Sequence, residues 1–164
     1  MSWQDYTLPL VRTYIGDLDG TSYSNSRLTT ISVTAAHSLL NEVSFSNTYT
    51  VDVPNSSISP DPTSGTIDTN FLNLLALKTA LILSTSEART KSLQVFSIKD
   101  GPSSVETGGA AKAMVELSKL LTEAYNKAKL DYIAGNSVGA QAITTPVYTQ
   151  WANPSMFGFD GQRR

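Results

Sequence analysis

Residues Asp68 to Lys91, DTNFLNLLALKTALILSTSEARTK, constrain the fold of this chain more than any other stretch. Phe71, Leu72, Leu74, Leu75, Ala76, Leu77, Ala80, Leu81, Ile82 and Leu83 are interrupted only by Asn73, Lys78 and Thr79. Wound into a helix, they cover nearly the whole circumference, and a helix apolar almost all round must be covered on several sides. A bilayer is one way to cover it, but a span needs about 20 predominantly apolar residues. The unbroken run here is shorter and holds Lys78. The stretch is therefore read as the central helix of a small helical domain, with no membrane partner.

The length of 164 residues suits one domain plus appendages. Charged residues make up only 16% of the chain, against about 25% in ordinary soluble domains. Ser, Thr and Asn take their place, giving a surface with fewer charges to desolvate when a partner covers it. The formal net charge of −2 offers no basic excess for phosphate neutralisation, which argues against tight DNA binding. There is no cysteine, hence no disulfide and no thiol chemistry. The N-terminal MSWQDYTLPLV lacks a basic region followed by an apolar run, so no signal peptide is expected. Synthesis and use in a cytoplasm, or in a particle assembled there, is the expectation.

Ahead of the central helix, a short helix is expected over Asp5 to Ile15, with Tyr6, Leu10, Val11 and Tyr14 on one side. Pro9 suits only its start, because proline has no N–H to donate. A second helix, capped by Ser24, Asn25 or Ser26, runs to about Val43 on a stripe of Leu28, Ile31, Ala35, Leu39 and Val43. The alternation in Thr48 to Val53 reads as a strand. Residues 54–66 follow as a long loop, or as a hairpin with Ile58 on its returning arm. Past the central helix, Leu93 to Ile98 reads as a second strand that can pair with 48–53, closed by a turn at Asp100-Gly101-Pro102. Thr107 or Gly108 opens a last amphipathic helix to about Ala134. Its apolar stripe is Ala110, Ala113, Met114, Leu117, Leu120, Leu121, Ala124, Tyr125 and Ala128.

The expected fold is mainly α, a small helical bundle around a central apolar helix. A short β-hairpin or small sheet and an extended C-terminal arm complete it. Residues 1–135 form the helical domain, with an excursion at 47–66, and 136–164 form the arm. The expected core comprises Phe71, Leu74, Leu75, Leu81, Ile82, Leu117 and Leu121. From Asn136 to Phe159 the arm has no charged residue, yet carries Tyr148, Trp151, Phe157 and Phe159. A merely disordered tail is ordinarily charged and poor in aromatics, so the arm reads as a segment that docks. Trp and Tyr dominate interface hot spots. An arm binding the next copy makes a heterologous contact that closes into a ring where the rotation permits.

The search for chemistry finds little. His37 is the lone histidine, among apolar neighbours, and reads as a structural or surface residue. A histidine-rich metal site is excluded by count. Asp17-Leu18-Asp19-Gly20 opens like a calcium loop but lacks the later acidic ligands. Gly108-Gly109 is read as helix entry, because no P-loop lysine pattern accompanies it. No enzyme, cofactor or metal site is expected.

The element order, together with Ile98-Lys99-Asp100-Gly101-Pro102-Ser103-Ser104-Val105 and the following Gly109-Ala110-Ala111-Lys112, resembles the head–tail connector (adaptor, or head-completion) proteins of tailed bacteriophages. The resemblance spans roughly residues 5 to 134. It implies a structural virion protein of the neck, assembled in the host cytoplasm as a homo-oligomeric ring, typically of twelve copies. Such a ring sits between the portal protein and the tail, stopper or terminator protein. It extends a channel that DNA passes through without specific binding. By this resemblance the arm, with Tyr148, Trp151, Phe157, Phe159, Arg163 and Arg164, binds the portal or a neighbour. The loop bearing Pro54, Ile58, Pro60 and Pro62 faces another subunit or the tail. The alternative reading is a tail-terminator, tail-completion or minor capsid protein.

Overall fold

The computed structural model describes residues 2–93, 97–100, 103–106 and 108–136. Helix α1, Trp3–Ile15, begins two residues before the expected start. Its cap is reciprocal: the Asp5 N–H donates to Ser2 Oγ at 3.4 Å, and the Ser2 N–H donates to the Asp5 carboxylate at 2.9 Å. Pro9 therefore lies inside α1 rather than in its first turn. It removes an intrahelical hydrogen bond, and burial of Trp3, Leu8 and Val11 in the core offsets that loss. Gly16 ends the helix in the left-handed conformation at φ 75°, which glycine reaches without steric cost.

Helix α2, Asn25–Glu42, is capped by Ser24, whose Oγ accepts from the Arg27 N–H at 3.3 Å. Strands β1, Thr50–Asp52, and β2, Ser57–Ser59, form an antiparallel hairpin with Val51 opposite Ile58. Period-2 alternation directs Tyr49, Val51 and Ile58 onto the core. Helix α3, Thr69–Leu93, starts where an Asp68 carboxylate oxygen accepts from the Phe71 N–H at 3.0 Å. Strands β3, Ser97–Asp100, and β4, Ser103–Glu106, pair with each other, and α4 runs from Gly108 to Asn136.

Helices α1, α2 and α4 all pack on α3, which accounts for its all-round apolarity. By length and composition α3 also qualifies as a membrane span, yet 61% of its most apolar window is buried by the protein itself. One core cluster gathers Trp3, Leu39, Tyr49, Phe71, Leu75 and Tyr125. Aromatic rings concentrate there. Phe45 meets Phe71 edge-on at 5.1 Å, and Tyr49 stacks on Phe71 at 4.3 Å.

Three expectations are corrected. The segment from Leu93 does not pair with 48–53: α3 continues through Leu93, and the strand that follows pairs with 103–106. A hairpin between near neighbours closes a far shorter loop than a pairing across the chain. The serines and threonines at the end of α3 are accommodated by bonding back to carbonyls one turn earlier. Ser92 Oγ, for example, donates to the Ala88 carbonyl at 2.7 Å. Secondly, Leu81, Ile82 and Leu117 are only half-buried, Leu81 and Ile82 packing against the edge of the core, while Phe71, Leu74, Leu75 and Leu121 are buried. Thirdly, the stripe on α4 is only partly covered. Leu121 and Tyr125 are buried, but Ala113, Leu120 and Ala124 are exposed. The reason is that α4 leans chiefly on one helix, α3. A single helix–helix contact covers a narrower strip than a pocket between two helices does.

Thr7 Oγ1 and Ser32 Oγ are fully buried, with no hydrogen-bond partner among the described residues. Removing an unmet buried hydroxyl removes its desolvation cost. Thr7→Val and Ser32→Ala are each expected to leave stability unchanged or raise it by up to about 1 kcal/mol. Urea denaturation midpoints check this, and a loss beyond about 1 kcal/mol would mean the hydroxyl has a partner.

Candidate functional site

The excursion at 54–66 is an anchored element. Pro54 and Pro60 are exposed, but Ile58 and Pro62 are buried, so the last two are withdrawn as contact residues for a partner. Ile58 is held inward by its cross-strand place opposite Val51. Asp61 fixes the returning chain: its carboxylate accepts from the Thr63 N–H at 2.9 Å, the Thr63 hydroxyl at 2.7 Å and the Trp3 N–H at 3.4 Å. Burial raises the pKa of Asp61, but these hydrogen bonds outweigh it and the net shift is downward. Asp68 closes the base of the hairpin, accepting from the Tyr49 hydroxyl at 2.8 Å and from Asn47 Nδ2 at 3.3 Å. Desolvation, reinforced by that carboxylate, pushes the Tyr49 phenol up to about 12.

The loop after α1 looks calcium-like in sequence but is pinned otherwise. Asp17 is 5% exposed. Its carboxylate accepts from the Ser22 and Tyr23 N–H groups at 3.0 and 3.3 Å and pairs with Arg12. The same guanidinium donates to the Tyr23 carbonyl at 2.9 Å and to Asn25 Oδ1 at 2.7 Å. The Ser22 N–H is the largest cause of the lowered Asp17 pKa. Asp17 is thus occupied in holding the loop. Among the described residues no group of His, Asp and Glu is arranged to hold a metal. His37 is exposed on α2.

A polar cluster joins three helices at Glu42. Its Oε1 pairs with Lys78 of α3, and its Oε2 accepts from the Tyr125 hydroxyl at 2.8 Å and Lys129 Nζ at 3.2 Å, both from α4. The Lys78 ammonium also lies 4.7 Å from the Tyr125 ring centroid. Desolvation alone would raise the pKa of Glu42. The hydrogen bonds from Lys78, Tyr125 and Lys129 outweigh it and hold the carboxyl at about 2. Burial, then the facing Glu42 carboxylate, pushes the Tyr125 phenol well above its ordinary range. The donors all converge on one carboxylate, so the cluster works as a clamp between α2, α3 and α4.

Grooves also line the α3–α4 side. One, of about 440 Å³, has mixed polar and apolar walls, including Asn70, Asn73, Leu74, Ala128, Asp131 and Tyr132. Another, of about 530 Å³, lies between the end of α3 and the first half of α4, lined by Thr85, Ala88, Arg89, Leu93, Val115 and Ser118. Leu93 is 83% exposed and Val115 38%. Sequence reasoning missed this second groove, because the stripe on α4 looked fully committed to the core. Tyr148, Trp151, Phe157, Phe159, Arg163 and Arg164 of the expected arm lie outside the described residues.

Comparison with protein families, with characterised proteins and with solved structures finds no match for this chain.

Proposed function

We propose that this chain is a structural protein of the tailed-phage neck: a head–tail connector that assembles in the host cytoplasm into a ring, typically of twelve copies. The ring sits in the virion between the portal and the tail or stopper, and lines a channel through which DNA passes without specific binding. The observation that carries this reading is how α4 is used. It follows the Asp-Gly-bearing hairpin segment of the resemblance, leans chiefly on α3, and leaves Leu120 and Leu130 60% and 63% exposed. Apolar side chains of that size left open on α4 suit copies packed side by side. The small net charge of −2 suits a channel that must not grip phosphates.

Mixing the purified chain with the portal protein of its phage and imaging by electron microscopy tests the proposal. Ring-shaped complexes on the portal are expected, and their absence would overturn it. Truncation before Gly139 removes most of the arm. Its expected result is an unchanged urea transition with loss of the portal complex. A truncated chain that still forms the complex would show that the arm does not tie the assembly.

A further inference from the structure

We infer that the open face of α4 pairs antiparallel with the same face of a second copy of this chain, through Glu116, Lys119, Leu120, Glu123, Ala124 and Lys127. The inference goes beyond the neck reading and does not rest on it, because it concerns the free chain.

That face is uncovered, and it is complementary to itself. Ala113, Leu120 and Ala124 recur at helical spacing on one side of α4, and all three are exposed. Glu116, Lys119, Glu123 and Lys127 run beside them, exposed as well, and their signs alternate along the helix. None of these four has an ion-pair partner among the described residues. The remaining charges of α4 are placed differently. Lys129 is held by Glu42, Lys112 has an interaction within its own chain, and Asp131 lines the groove of Asn70 and Asn73.

An alternating array with an even number of members matches its own reverse. Laid antiparallel, Glu116 faces Lys127 of the second copy and Lys119 faces its Glu123, and the two-fold axis repeats both contacts. Both pairings share a midpoint near residues 121–122, so one alignment satisfies them all. Glu116 and Lys127 are separated by close to three full turns, and Lys119 and Glu123 by about one, so each pair lies along the same edge of the contact. The same alignment sets Leu120, which is 60% exposed, against Ala124 of the second copy. Asp131 then falls opposite Lys112 and Ala113. Laid parallel and in register, each charge would meet its own kind. A partner of uniform charge, nucleic acid included, would be repelled by half the array. Charges flanking a helix contact set partner and orientation in this way. The antiparallel pair is isologous and closes on itself. It covers in the free chain the same leucine that a ring would use, and must part before copies join head to tail.

Sedimentation velocity of the full chain at low salt should show a species of two copies that dissociates as salt is raised. Glu116→Lys alone and Lys127→Glu alone each bring like charges together twice, and each should weaken the pair at least about tenfold. An equimolar mixture of the two variants should regain the parent's affinity, because the two reversed charges meet each other and the two native ones do likewise. Both positions are exposed, so the helical circular dichroism should be unchanged. A parent chain that stays single or assembles beyond two copies would overturn the inference. So would variants as tight as the parent, or a mixture no tighter than either variant alone. Orientation is read separately with introduced thiols, which the cysteine-free chain reports without background. In the antiparallel alignment position 124 lies about 7–8 Å along the axis from its counterpart, and position 113 about 26 Å. A short bis-maleimide should therefore join Ala124→Cys copies and leave Ala113→Cys copies single. Equal joining of the two means a contact without antiparallel order and overturns the inference. Rings on the portal, present or absent, decide the neck reading alone.

Discussion

Replacing Phe71 by alanine is expected to lower the unfolding free energy by about 3–5 kcal/mol. The ring is fully buried and sits where three segments meet: Phe45 beyond the end of α2, Tyr49 at the start of the hairpin, and α3 itself. Truncation removes the apolar burial and leaves a cavity whose aromatic walls cannot all collapse inward. Domain stabilities of about 5–15 kcal/mol make that loss a large fraction of the total. Phe71→Leu keeps part of the volume and should cost clearly less. Chemical denaturation of both variants measures the effect. A loss below about 1 kcal/mol for the alanine variant would mean that the aromatic cluster does not organise the core.

The place of Phe71 was legible in the sequence because α3 is apolar on every side, and no arrangement but enclosure satisfies such a helix. The hairpin at β1 and β2 was legible for a related reason: alternation of Tyr49, Val51 and Val53 marks one buried face, although Val53 itself proves exposed. The strand after α3 was misread because a short apolar run such as Leu93 to Ile98 carries no period that separates helix end from strand. Trp3 was missed as core, since a single aromatic near a terminus has no repeat to place it. Ser2 and Asp5 at capping-box spacing were the available signal that the helix starts ahead of it. Exposure along α4 was not legible either. An amphipathic pattern states which face is apolar, not how many neighbours arrive to cover it. The anchoring of the 54–66 excursion by Asp61 depends on Trp3, 58 residues away, and no local pattern announces such a contact.

The Glu42 clamp lies furthest from what a sequence can announce, and it should contribute to the acid response of the protein. Its partners Lys78, Tyr125 and Lys129 are 36, 83 and 87 residues away, so only the folded chain assembles it. In the unfolded chain the carboxyl titrates near 4.5; in the fold it is held at about 2. A depressed carboxyl contributes stability that is fully present above the unfolded value and is lost as pH falls through the folded one. Stability from this group should therefore hold at neutral pH and drain away between pH 4.5 and about 2. Glu42→Gln keeps the shape but removes the charge facing two ammonium groups and a phenol. A hydrogen bond to a charged group is worth about 1.5–3 kcal/mol, so a loss of on the order of 2 kcal/mol at pH 7 is expected. The variant should also show a flatter stability profile between pH 5 and about 2 than the parent, which separates loss of this titration from a general packing defect. Lys78→Met offers a second route, since it removes one cation while keeping the side-chain stem against the Tyr125 ring. It should lessen the acid sensitivity without abolishing it. Urea titrations of the three proteins across that range provide the comparison, and a Glu42→Gln profile parallel to the parent's would remove Glu42 as its cause.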